Sequence, residues 1–181
     1  LVRAAVLTSI IAMPLLALSL AGCNSWLGVS RRPAPPSGFG MEGREDPALS
    51  GDGRLLASLV ERNGRSSVLL QERLSGKVLP LRTLNGQQPH SSPSLSWNGR
   101  YLALIVQRGE RRLAMIEDRA TGRPHPLLLP GGQEPQRLSL APDGRRLAVQ
   151  LTRDGVRRVE LFDLGGQLEA DLAPGLPIQP R

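Results

Sequence analysis

Cys23 is the only cysteine of the chain, so no disulfide can form within it and the fold must rest on its apolar core. Histidine is nearly as scarce. His90 and His125 stand alone and leave no zinc-ligand set, so neither a metal nor another cofactor is expected. The five aromatic residues do not interleave with the basic ones, which argues against a nucleic-acid surface. No Gly-x-Ser-x-Gly elbow occurs, and Gly131-Gly132 and Gly165-Gly166 read as turns rather than phosphate cradles. The best nucleophile–base grouping is His90 beside Ser91 and Ser92, in a stretch, Gln88 to Pro93, whose plainer reading is a polar loop. The chain is therefore expected not to be an enzyme.

The N-terminus supplies an address. Arg3 precedes an apolar run from Ala4 to Leu20, which ends in Leu20-Ala21-Gly22-Cys23 and then turns polar at Asn24. A positive start, an apolar run and small residues before a cut site make a secretory signal. This one resembles a bacterial lipobox. The resemblance implies removal of residues 1–22, acylation of Cys23 and tethering of the rest to a membrane face. Pro14 and the abrupt end of the run argue against an uncleaved spanning helix. The absence of Asp after the cysteine points to the outer membrane in an envelope that has one. Residues 23–46 hold the lipidated cysteine and a spacer rich in Pro, Gly and Ser, including Arg32 to Gly38. Residues 173–181 read as a loose tail.

Lysine is almost absent: Lys77 is the only one among 23 basic residues. After loss of residues 1–22 the balance is 22 basic to 16 acidic, a net +6. Arginine suits carboxylate and phosphate contacts, so an anionic cell-wall polymer is one candidate partner. A solvated arginine-rich surface is the simpler explanation.

Residues 47–172 repeat. Asp52-Gly53-Arg54, Asn98-Gly99-Arg100 and Asp143-Gly144-Arg145 align at spacings of 46 and 45 residues. Asp-Gly and Asn-Gly favour tight hairpins because both residues tolerate positive φ. Apolar strands follow at Leu56–Val60, Leu102–Val106 and Leu147–Leu151, then turns at Gly64, Gly109 and Gly155. Next come strands ending in Glu72, Asp118 and Asp163, further turns, and short fourth strands ending near Leu81, Leu127 and Leu172. Four short strands in about 45 residues are a propeller-blade signature. Strands apolar on both faces want cover on both sides. Gln150 breaks that pattern in the last unit alone.

The motif resembles the TolB-like propeller repeat, Pro-x-Trp-Ser-Pro-Asp-Gly-Lys/Arg before an apolar strand. Here it runs from Pro47 to Arg54, Pro93 to Arg100 and Leu138 to Arg145, with Leu in place of Trp throughout. The resemblance implies an all-β chain of three four-stranded blades, at about 47–92, 93–137 and 138–172. Three blades cannot close the usual ring of four to eight. The two end faces call for an open arc, cover from the Pro-rich flanks, or a homodimer joined head to tail into six blades. Leu55, Leu59 and Leu69 are candidates for an apolar end face in the first repeat. Arg146, Gln150 and Glu160 are their more polar counterparts in the last. The function expected is a non-catalytic, membrane-anchored envelope scaffold that binds a protein or a cell-wall polymer. The alternatives are an accessory propeller of an envelope hydrolase or peptidase system and a degenerate structural fragment.

Overall fold

The computed structural model describes residues 42–84, 88–131 and 133–172, all within one unit, Pro35–Arg181. The signal segment, Leu20 to Cys23, most of the spacer and the tail at 173–181 lie outside the described residues. Among the described residues eleven strands form three antiparallel sheets. Blade 1 contains β1 (Arg44–Leu49), β2 (Leu55–Arg62), β3 (Arg65–Glu72) and β4 (Val78–Leu79), hydrogen-bonded in that order. Blade 2 contains β5 (His90–Leu95), β6 (Tyr101–Arg108), β7 (Arg111–Asp118) and β8 (Arg123–Pro126). Among the described residues blade 3 contains β9 (Glu134–Leu140), β10 (Arg146–Arg153) and β11 (Val156–Asp163). This is the all-β, incomplete propeller that the repeats imply. The first strands begin a few residues ahead of 47, 93 and 138.

Strand alternation divides the core into two layers. Leu55, Ala57, Leu59, Val68 and Leu70 of blade 1 pack on Leu102, Leu104, Val106 and Met115 of blade 2. The opposite side of blade 2, Tyr101, Ala103, Ile105, Ala114 and Ile116, packs on Leu138, Leu140, Leu147, Val149 and Leu151 of blade 3. Residues 101–106 are accordingly all buried, whereas β10 alternates between buried and partly exposed. Each fully buried aliphatic side chain contributes about 1.5–3 kcal/mol, so the interfaces between blades carry most of the fold.

The turns divide the work differently from the sequence expectation. Asp52, Asn98 and Asp143 are not at positive φ; only the following Gly53, Gly99 and Gly144 are, at 68°, 66° and 73°. The aspartates act through their side chains. Asp52 Oδ1 accepts Arg54 N–H at 2.9 Å, and Asp143 Oδ1 accepts Arg145 N–H at 3.0 Å. This is the local side-chain turn that Asp favours. Paired positive φ occurs instead at the second turns, Asn63-Gly64 (53°, 72°) and Asp154-Gly155 (49°, 76°). These two-residue loops close the Arg62–Arg65 and Arg153–Val156 pairs in the geometry that matches strand twist.

The expected fourth strand ending near Leu172 is replaced by a chain reversal. After β11, Leu164 and Leu168 turn into the second core layer, and rather than running along β11 the backbone bonds to the Asp143 turn of blade 3 while the Asp171 side chain reaches the turn of blade 2. The two end faces also differ from the sequence expectation. Leu55 and Leu59 point into blade 2, and Leu69, on the outer side of blade 1, is buried. The polar residues lie on that outer side: Arg44 Nη1 donates to Ser58 Oγ (3.3 Å) and to Gln71 Oε1. In blade 3, Glu160 pairs with the inward-facing Val149. Val159 and Leu161 share the opposite face and are 68% and 77% exposed.

Candidate functional site

The three Asp/Asn-Gly turns lie side by side and are bonded to one another. Asp52 N–H donates to Trp97 O (3.0 Å), and Trp97 N–H donates to Pro142 O (2.7 Å). Two of the three glycines are also packing positions. A Cβ on Gly99 would lie 2.5 Å from Leu55 Cδ1, and one on Gly144 would lie 2.5 Å from Tyr101 Cδ2; Gly53 has open space. In blades 1 and 2 the first residue of the second strand thus sits on the turn glycine of the following blade.

Blade 2 carries the most elaborate turn. In blade 1, Ser50 Oγ donates to Asp52 Oδ1 and accepts Leu55 N–H at 2.9 Å. In blade 2 the corresponding residue is Asn98, and the carboxylate comes from Asp171. Asp171 Oδ2 accepts Ser96 Oγ–H, Asn98 N–H (2.9 Å) and Arg100 N–H (3.4 Å), while Oδ1 accepts Asn98 Nδ2–H (3.0 Å). Asp171 N–H donates to Asp143 O at 2.8 Å, so this one residue joins blades 2 and 3. Arg100 then forks between two carboxylates, with Nε and Nη2 on Asp118 (both 3.2 Å) and Nη1 on Glu169 (2.7 Å). Its hydrogen bonds to Asp118 and then Glu169 raise its pKa above the ordinary arginine value. Burial pushes the Asp118 carboxyl up, but Arg100 and the donors of Ala120 and Thr121 outweigh it and hold Asp118 below the usual carboxylate range.

The repeated carboxylates that end the third strands have a common role. Glu72 accepts Ser75 Oγ–H (2.6 Å), Asp118 accepts Ala120 N–H (3.0 Å), and Asp163 accepts Gly165 N–H (2.8 Å). Each organises the turn that follows. Glu117 stands beside Asp118, an acidic pair that the other two repeats do not reproduce. It is 1% exposed and accepts Arg82 N–H (3.0 Å), Thr83 N–H (3.3 Å) and Thr83 Oγ–H (2.5 Å), holding the crossover from blade 1 to blade 2.

His90 and its serines are also bridging groups. His90 is buried, and its Nδ1 accepts Val68 N–H of blade 1 at 3.1 Å. Burial lowers its pKa, with Glu117 opposing in part. Ser92 Oγ accepts Leu138 N–H (3.0 Å), and Ser94 Oγ accepts Leu140 N–H (2.9 Å), both across to blade 3. Asp46 and Ser92, each before a proline, adopt positive φ at bulges in β1 and β5. With Gln136 and Arg137 they line a cleft of about 300 Å³ between the innermost strands. A second groove, of about 430 Å³, runs between β7 and the segment before β9. Leu113, Leu127, Leu128 and Leu129 line it beside Arg111 and Arg112, and Leu128 is 89% exposed. Among the described residues no group of three His, Cys, Asp or Glu is placed to hold a metal ion.

No family model and no curated protein matches the sequence. Solved structures do match the fold. TolB from Acinetobacter baumannii is 17% identical at a TM-score of 0.55, over 70% of this chain and 31% of that one. A putative TolB from Agrobacterium tumefaciens is 21% identical at 0.58, over 75% and 49%. The β-propeller domain of the Trilobed protease from Pyrococcus furiosus, described as an open velcro topology, is 17% identical at 0.51, over 71% and 41%. The match thus spans only about a third to a half of those chains. At these identities the likeness establishes architecture, and the architecture is that of three TolB-like β-propeller blades in an incomplete propeller.

Proposed function

We propose that this chain is a membrane-anchored lipoprotein of the bacterial envelope whose blades form a non-catalytic binding scaffold. The observation that carries the scaffold is the groove between blades 2 and 3. Leu128 is open to solvent, Leu113, Leu127 and Leu129 are partly exposed beside it, and the rim is arginine, which suits a protein surface presenting apolar side chains and carboxylates. The polar groups of the turn side and of the blade seams are committed to bonds that hold blades together. That makes a rigid platform. The lipobox supports the anchor, and two or three acyl chains on Cys23 meet the requirement for stable attachment.

Capture from solubilised envelopes, comparing the unaltered chain with Arg111→Glu/Arg112→Glu, tests the scaffold. A specific partner should be recovered by the first and lost by the second; identical recovery would remove the groove from the argument. Recovery of a hydrolase would make the chain an accessory subunit of an enzyme system. Labelling with palmitate tests the anchor. The unaltered chain should label and Cys23→Ser should not, and equal labelling of both would end the lipoprotein reading.

A further inference from the structure

Among the described residues β11 is the outermost strand of its sheet, in the place next to which β4 and β8 add a fourth strand in the other blades. Which backbone groups it offers follows from its hairpin. Arg153 and Val156 close a two-residue turn and form a hydrogen-bonded pair, so residues 158, 160 and 162 also bond to β10. Leu164 N–H, donated to Arg145 O, keeps the same parity. The N–H and C=O groups of residues 157, 159, 161 and 163 therefore face the open edge. Their counterparts in the other blades confirm the direction. Glu72, matching Asp163, donates its N–H to Lys77 O (2.9 Å), and Ala114 O, matching Val159, accepts Leu127 N–H (2.9 Å).

The side chains of the same four residues share the outer face: Arg157, Val159, Leu161 and Asp163, all exposed. Val68, Leu70, Ala114 and Ile116, at the positions matching Val159 and Leu161, are buried under the next blade. Running in the opposite direction, the order becomes Asp, Leu, Val, Arg. Two antiparallel copies with Glu160 on the two-fold axis place Arg157 opposite Asp163 and Val159 opposite Leu161, twice each. Opposite charges and apolar pairs across antiparallel strands both stabilise. A slip of one residue in the pairing turns the wrong backbone groups to the edge. A slip of two residues sets Arg157 against Leu161, or Val159 against Asp163. One contact opposes the pairing, Glu160 beside Glu160 of the second copy.

We propose that two copies of this chain associate through antiparallel pairing of β11, each filling the fourth-strand place of the other. The contact is isologous, unlike a head-to-tail ring, which needs the outer side of blade 1. That side is buried, with Arg44 bonded across it to Ser58 and Gln71.

The test uses the full-length chain in mild detergent with Cys23→Ser, so that an added cysteine is the only thiol. Glu160→Cys places that thiol on the axis, in a non-hydrogen-bonded pair whose Cβ atoms approach to about 4.5–5.5 Å. Mild oxidation should give a covalent dimer, and several-fold less from Leu128→Cys, which is exposed elsewhere. Within the Glu160→Cys chain, Arg157→Gln should lower the yield and Arg157→Asp should lower it several-fold further. Light scattering on the chain carrying only Cys23→Ser should give the mass of two chains. A one-chain mass would overturn the proposal, as would equal crosslinking from Glu160→Cys and Leu128→Cys or a yield indifferent to the charge at position 157.

Discussion

Substituting the three turn glycines by alanine separates backbone strain from packing between blades. Gly53, Gly99 and Gly144 have nearly the same φ, 68°, 66° and 73°, so an alanine at each meets the same conformational penalty. That penalty is about 1–2 kcal/mol for a left-handed L-residue. The surroundings differ. A Cβ at Gly53 meets nothing within 4 Å, at Gly99 it meets Leu55 Cδ1 at 2.5 Å, and at Gly144 it meets the Tyr101 ring at 2.5 and 2.9 Å. Overpacking of this kind adds about 1–3 kcal/mol. Gly53→Ala should therefore cost about 1–2 kcal/mol and Gly99→Ala about 2–5 kcal/mol. With a urea m-value of about 2 kcal/mol/M, the excess at Gly99 moves the midpoint by roughly 0.5–1.5 M. Leu55→Ala removes the atom that Gly99→Ala strikes, so the double variant should cost less than the sum of the singles by about 1 kcal/mol or more. Urea unfolding followed by far-UV circular dichroism compares these variants with the unaltered chain. Equal midpoints for Gly53→Ala and Gly99→Ala, or strict additivity with Leu55→Ala, would refute the contact between blades.

Asp171→Ala removes the acceptor of four donors at a residue 4% exposed, so it should destabilise by about 3 kcal/mol, against about 1 kcal/mol for Asp52→Ala. Hydrogen exchange at Asn98 and Arg100 amides should accelerate in the first variant and stay slow in the second. His90 titrates in the direction of acid instability. Its folded pKa lies below the unfolded value of 6.5, so the unfolded chain binds more protons and stability falls as pH drops from about 6.5 toward the folded pKa. Denaturation midpoints between pH 7.5 and 5 should decline more steeply in the unaltered chain than in His90→Asn; parallel curves would contradict this.

The blade count, the turn positions and the paired apolar strands were readable because they rest on local chemistry. A glycine at positive φ is required wherever the chain reverses tightly, and Gly53, Gly99 and Gly144 recur in phase. The strand-ending carboxylates Glu72, Asp118 and Asp163 were visible for the same reason, since each bonds within three residues of itself. A tight hairpin with positive φ at both residues is expected at Asp52-Gly53 but occurs at Asn63-Gly64, because the same dipeptide preference serves two kinds of turn. His90 and Glu117 carried no readable role. Their partners, Val68 and Thr83, lie 22 and 34 residues away, and only the stacking of blades brings them together.

By itself the sequence determined that the chain would form blades, how many, and where each would turn, because strand alternation and turn chemistry act over a few residues. The tertiary structure decided what happens at the ends. It sends residues 164–172 back toward blade 2, where Asp171 meets Ser96 across 75 positions, and so leaves blade 3 without a fourth strand among the described residues. It also changes what the end faces present, closing the outer side of blade 1 around Arg44, Ser58 and Gln71 and exposing Val159 and Leu161 on blade 3 beside Arg146 and Gln150, which lie on that face as expected. An alternating strand specifies that it has two faces. Which face meets water depends on what is packed against it, and that follows from the order in which whole sheets stack.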